Sequence, residues 1–186
     1  MNLTKQQLAD IANSIGIEYA ALRAFIAVES GGAGFINGRI VIQFEPVWFR
    51  RKVPFAPSGA WSINKVENQT AEYKAFSEAF RINAKGAMEA TSWGLGQIMG
   101  FHYARLGYKT VDDMVNDFKT GDLAQVKGIA RFVATDPALL RAIQAKDWHR
   151  VAVNYNGANY KQLAAKYNRE PYNISMQKAY IKYSNQ

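Results

Sequence analysis

The chain has 186 residues, 48% apolar and 20% charged, with 23 Lys and Arg against 15 Asp and Glu for a formal charge of +8. This is the composition of an ordinary globule, long enough for one domain with a sizeable core, and it excludes a wholly disordered chain. The lack of cysteine rules out a disulfide framework, a thiol nucleophile and any Cys-based metal site, while a basic surface attracts nucleic acid, anionic membrane and bacterial wall alike, so charge alone does not choose among them.

The first residues lack the apolar stretch of a signal peptide, and no segment reaches the roughly 18 apolar residues of a membrane span. Thr4 followed by Gln7 reads as a capping box. Leu8, Ile11, Ala12 and Ile15 then repeat at helical spacing up to Gly16. A second helix is predicted over 18–29, with Leu22, Phe25, Ile26 and Glu29 on one face and Ser30-Gly31-Gly32 stopping it.

Residues 33–64 are punctuated by Gly34, Gly38, Pro46, Pro54, Pro57 and Gly59. Within them 39–45 reads as a strand or hairpin, and 46–52 as either its continuation through Trp48 and Phe49 or a helical turn; this stretch is the expected minor lobe. A helix over 70–83 carries Tyr73, Phe76 and Phe80 as its apolar stripe. Gly94 and Gly96 imply close packing or a tight entry into a helix. Further helices are predicted over 98–105, 110–118, 122–134, 136–144 and 147–154, with Asp122 as a cap and Pro137 at a first helical position. The Tyr- and Lys-rich tail, 159–183, divides at Pro171 into two helical pieces. With no repeat or low-complexity linker, residues 1–186 read as a single domain without a separate wall-binding module.

Glu29 is the most informative residue. It lies on the apolar stripe beside Ile26 and Phe25, at the C-terminal end of its helix. Burial and the negative end of the helix dipole both penalise its charge, and a carboxyl kept protonated near neutrality is what a general acid requires. The plainer alternative is a last-turn glutamate pointing into water. Glu45, between Phe44 and Pro46, is the second acid, and glycoside hydrolysis commonly takes two carboxyl groups; the plainer alternative is an edge-strand glutamate. In Ser92-Trp93-Gly94-Leu95-Gly96-Gln97-Ile98 the glycines allow close backbone approach and Gln97 offers both donor and acceptor. In Asn154-Tyr155-Asn156-Gly157, Tyr155 offers a flat face for a sugar ring and Asn156 an amide, although Asn and Gly also simply end helices. His102 and His149 are the only histidines and form no His-Glu-x-x-His pair, no serine sits in a Gly-x-Ser-x-Gly elbow, and no metal or cofactor is expected.

Taken together, these segments carry a resemblance. Ala27-Val28-Glu29-Ser30-Gly31-Gly32 resembles the Glu-Ser signature of the lysozyme-like superfamily, which includes goose-type lysozymes and lytic transglycosylases. Gly94-Leu95-Gly96-Gln97-Ile98 is similar to its Gly-Leu-x-Gln-Ile motif, and Val153-Asn154-Tyr155-Asn156-Gly157 to its Ala-Tyr-Asn-x-Gly motif, with Asn for the usual Ala. More closely, Phe44-Glu45-Pro46-Val47-Trp48-Phe49 resembles the Phe-Glu-x-x-x-Phe segment of the phage endolysin N-acetylmuramidase family. The resemblance spans roughly residues 10–180. It implies a mainly α, lysozyme-like domain with a small β-hairpin or irregular lobe beside a saccharide cleft, and hydrolysis of peptidoglycan between N-acetylmuramic acid and N-acetylglucosamine. It assigns Glu29 as catalytic acid and makes Glu45 an aid to water activation. It sets Gln97, Tyr155 and Asn156 along the saccharide, with Ser30 and Trp93 as further substrate contacts.

The expected partner is the glycan strand of the bacterial wall, with no nucleic acid and no stable membrane insertion, and the protein is expected to be a monomer. Made in the host cytoplasm, it would reach the wall with a holin-like protein. Two alternatives stay open: a lytic transglycosylase forming 1,6-anhydro ends, and a non-catalytic wall-binding phage structural protein. A basic nucleic-acid binder would need clustered Arg and Lys on a helix, which the sequence lacks.

Overall fold

The computed structural model describes residues 3–65 and 68–186. In chain order the elements are α1 (Lys5–Ser14), α2 (Tyr19–Ser30), β1 (Phe35–Ile36), β2 (Arg39–Ile40), β3 (Ile42–Phe44), α3 (Pro46–Lys52), α4 (Gln69–Ile82), α5 (Ala84–Glu89), β4 (Thr91–Trp93), β5 (Ile98–Met99), α6 (Val111–Lys119), α7 (Asp122–Ala134), α8 (Pro137–Gln144), α9 (Trp148–Asn156), α10 (Tyr160–Lys166) and α11 (Tyr172–Ser184). Among the described residues the protein is mainly α with two very small sheets, as expected. It forms two compact units: Met1–Gly32 with Ile129–Gln186, and Ala33–Gly128.

The first unit is helical. The capping box at its start is realised, with Thr4 Oγ1 accepting from the Gln7 amide at 3.2 Å and Gln7 Oε1 from the Thr4 amide at 2.9 Å. α2 buries Ala20, Ala21, Leu22, Ala24, Phe25 and Ile26, and packs on α1 and α11. It ends at Gly31, whose φ of 62° is the left-handed conformation that glycine adopts without a Cβ penalty. Asp136 and Asp147 cap α8 and α9, and Pro137 takes the first position of α8.

The second unit holds the β structure. β1 and β2 form a hairpin, Phe35 opposite Ile40 and Ile36 opposite Arg39, across Asn37-Gly38. Both turn residues have positive φ (51° and 73°), as a two-residue turn matching strand twist requires. The other sheet is antiparallel in the order β3-β4-β5, with Ile42 opposite Trp93, Phe44 opposite Thr91 and Ser92 opposite Met99. The free edge of β3 is satisfied by α4 rather than by a strand. Gln69 accepts from the Ile42 amide at 2.9 Å and donates to the Ile42 carbonyl at 2.8 Å, and Glu72 accepts from the Phe44 amide at 2.7 Å. Phe44, Phe49, Trp61, Ala75, Ala79, Ala87 and Ala90 form the adjoining core.

One open alternative is decided and one expectation is corrected. Residues 46–52 do not continue the strand: Pro46 suits a first helical position, and α3 turns Phe49 into the core. The helix expected over 98–105 is instead β5 followed by a 3-10 turn at Gly100–His102. There the chain pairs with β4 and presses so closely on the turn after Met88 that a Cβ on Gly100 would lie 2.0 Å from the Met88 carbonyl oxygen.

Candidate active site

The sequence-predicted residues fall into two groups. Glu29, Ser30, Tyr155 and Asn156 belong to the first unit; Glu45, Trp93 and Gln97 belong to the second.

In the first group, Glu29 occupies the last turn of α2, directly after the buried Phe25 and Ile26. Its side chain meets Tyr172, the first residue of α11, whose hydroxyl donates to Glu29 Oε1. The Tyr155 ring stacks on Tyr172 (centroids 6.0 Å apart, planes at 25°). Its edges meet Phe25 at 4.7 Å and Phe132 at 5.6 Å. The four rings form one cluster, and Tyr172 is its member that meets the carboxyl. Burial raises the Glu29 pKa to about 8, against the opposing pull of the Tyr172 hydrogen bond. The carboxyl is therefore protonated at neutral pH and can donate. Burial first, and the neighbouring Glu29 charge second, push the Tyr172 phenol well above its ordinary range, so it stays a hydroxyl. Ser30 turns its Oγ back to the Ile26 carbonyl at 3.2 Å, and Asn156, the last residue of α9, is exposed.

In the second group, Glu45 joins β3 to α3, its amide donating to the Ala90 carbonyl at 2.9 Å. Its Oε1 accepts from Gln43 Nε2 at 2.6 Å. Burial raises the Glu45 pKa, the Gln43 bond lowers it, and the charge of Glu72 raises it further. Glu72 is 2% exposed; its Oε2 accepts from the Phe44 amide and from Asn64 Nδ2 (3.1 Å), and its Oε1 has no hydrogen-bond partner among the described residues. Gln97 has a left-handed backbone (φ 44°, ψ 42°) and donates to the Gly94 carbonyl at 2.8 Å while staying partly exposed. The Gly94 turn is close-packed: Gln125, 1% exposed, accepts from the Leu95 amide at 2.8 Å and donates to the Phe118 carbonyl at 2.9 Å.

Trp93 does not match the expectation of a sugar contact. It is 1% exposed, with its indole N–H donating to the Met88 carbonyl at 3.0 Å and its ring edge-on to Phe76. A three-residue strand buried on both faces makes it a core residue. The Arg50–Lys52 run is also engaged: Arg50 binds the 56–58 loop, Arg51 lies 4.8 Å over the Trp48 ring, and Lys52 pairs with Glu89 at 2.7 Å. His149 Nδ1 hydrogen-bonds the Tyr160 hydroxyl at 2.8 Å. No cluster of three or more metal-ligating side chains occurs among the described residues. Sequence reasoning missed Tyr172, Gln43 and Glu72. Gln43 lay within reach, two residues before an acid; the other two act across long sequence separations.

The protein-family model described as "Muramidase: N-acetylmuramidase" matches residues 18–184. The solved structure titled "Crystal structure of Burkholderia AP3 phage endolysin" is similar, with 34% identity and a TM-score of 0.83 over 98% of this chain and 71% of that one. No curated protein matches the sequence.

Proposed function

Because the chain belongs to the N-acetylmuramidase family, an enzyme family acting on peptidoglycan, we propose that it hydrolyses the β-1,4 bond between N-acetylmuramic acid and N-acetylglucosamine with Glu29 as general acid. The observation that carries this reading is the Glu29 carboxyl itself, partly buried at the end of α2, bound by the Tyr172 hydroxyl and pushed by burial to a pKa of about 8. Glu29 gives its proton to the bridging oxygen as the C–O bond breaks and positive charge spreads over the sugar ring and its anomeric carbon. Water adds at that carbon and gives up its proton to a base, the role that the resemblance implies for Glu45, whose pKa burial raises and the Gln43 bond lowers. Ser30, Gln97 and Asn156 supply hydrogen bonds to the saccharide. Tyr155, partly exposed and stacked on Tyr172 by one face, offers its remaining surface to a sugar ring.

Similarity to a phage endolysin supports a role in host lysis; we propose further that the protein acts as a monomer and reaches the wall once a holin-like partner has opened the membrane. The test is mass spectrometry of muropeptides released from purified peptidoglycan by the wild type and by Glu29→Gln. Reducing N-acetylmuramic ends from the wild type and none from the variant are expected. Anhydro-muramic ends would make the protein a lytic transglycosylase, and undiminished release by Glu29→Gln would remove the acid from the mechanism.

A further inference from the structure

Resting on that reading of Glu29, we propose that Tyr172 is the positioning residue of the acid: its hydroxyl holds Oε1 as an acceptor, so that the transferable proton resides on Oε2. The two residues come from opposite ends of the chain, Glu29 from the last turn of α2 and Tyr172 from the first turn of α11. α2 and α11 pack along each other, which fixes where the phenol arrives.

A neutral carboxyl has one oxygen that accepts and one that carries the proton. A phenol that remains protonated donates to the first and leaves the second as the only proton-bearing atom. Without such a partner the proton would exchange between the two oxygens and the carboxyl would rotate. A donor of fixed direction removes both freedoms, which is the orientational component of catalysis. The Tyr172 ring has little freedom to move, since one face is stacked on Tyr155, which is itself wedged by Phe25 and Phe132.

The same bond has an electrostatic consequence. Burial alone pushes the Glu29 pKa upward and the hydroxyl pulls it down. Tyr172 thus keeps the acid strong enough to give up its proton while burial keeps it from losing that proton to water.

Tyr172→Phe keeps the stack and removes only the hydroxyl. On purified peptidoglycan the alkaline limb of its kcat/KM profile should move up by about one pH unit, and kcat should fall about tenfold with KM little changed. Incorporating 3-fluorotyrosine at Tyr172 preserves the shape and strengthens the donor, so that limb should move down. A limb unmoved in the fluorinated protein overturns the proposal, whether or not Tyr172→Phe folds. Glu29→Gln is assayed in parallel. If it stays active, the acid assignment itself fails; if it is dead while both Tyr172 proteins keep the wild-type profile, only the role of Tyr172 fails.

Discussion

Gln43 and Glu45 point to the same side of the chain, and the Gln43 amide donates to the Glu45 carboxylate at 2.6 Å. Two residues apart on an extended backbone, they share a face by the period-2 geometry of a strand. A donor on a carboxylate favours its ionised form. Gln43→Ala should therefore raise the Glu45 pKa. If Glu45 accepts the proton of water, the acidic limb of the kcat/KM profile should move to higher pH by about half a unit to one unit. Peptidoglycan turbidity assays between pH 4 and 7 would measure it, and an unmoved limb would leave Glu45 without that role.

Glu29 also makes stability depend on pH. Its folded pKa, about 8, lies above the ordinary carboxylate value. Below the unfolded value both states hold the proton and no penalty exists. As pH rises between the two values the unfolded chain alone releases its proton, so stability falls, reaching its full loss above about 8. Glu29→Gln removes this effect. The variant should be about as stable as the wild type at pH 4 and more stable at pH 9, by on the order of 1–3 kcal/mol allowing for the partial exposure of the residue. Paired thermal melts at the two pH values would check this.

Glu72 combines a structural and an electrostatic role that two substitutions separate. Glu72→Ala leaves the buried Phe44 amide without its acceptor and should cost about 2–3 kcal/mol, a fall in Tm of several degrees. Glu72→Gln keeps an acceptor oxygen but removes the charge that raises Glu45. It should cost less stability and move the acidic limb down, opposite to Gln43→Ala.

Two glycines give contrasting expectations. At Gly100 an added Cβ would strike backbone, 2.0 Å from the Met88 carbonyl oxygen, which no rotamer change relieves. Gly100→Ala should destabilise by more than about 3 kcal/mol, or abolish soluble expression. Gly107 has φ +85° but open space around it. Gly107→Ala should cost only about 1 kcal/mol, from backbone strain. Chemical denaturation of both variants would separate the two.

What the sequence made legible was local. Thr4 with Gln7 announced α1, Asp136-Pro137 opened α8 as read, and Pro171 divided the tail into α10 and α11. Glu29 was readable because its cause, an apolar stripe ending at a glycine stop, lies within one helix. Asn37-Gly38 is a hairpin signal that went unused: the strand or hairpin was expected over 39–45, and the hairpin spans Phe35–Ile40. The rest is tertiary. Gln69 and Glu72 complete a strand edge 27 and 28 positions away, and no spacing rule connects side chains of a helix to such an edge. Trp93 was misread because a strand buried on both faces shows no alternation.

The pairing of Glu29 with Tyr172 spans 143 positions, and this sets an order of events during translation. A ribosome delivers α2 early and α11 among the last elements of this chain, so a nascent polypeptide carries its acid without the hydroxyl that completes it. On the proposed roles of these two residues, full activity would come only once synthesis has passed Tyr172, and a polypeptide interrupted before that point would carry Glu29, Gln97 and Tyr155 yet lack the hydroxyl that orients the acid.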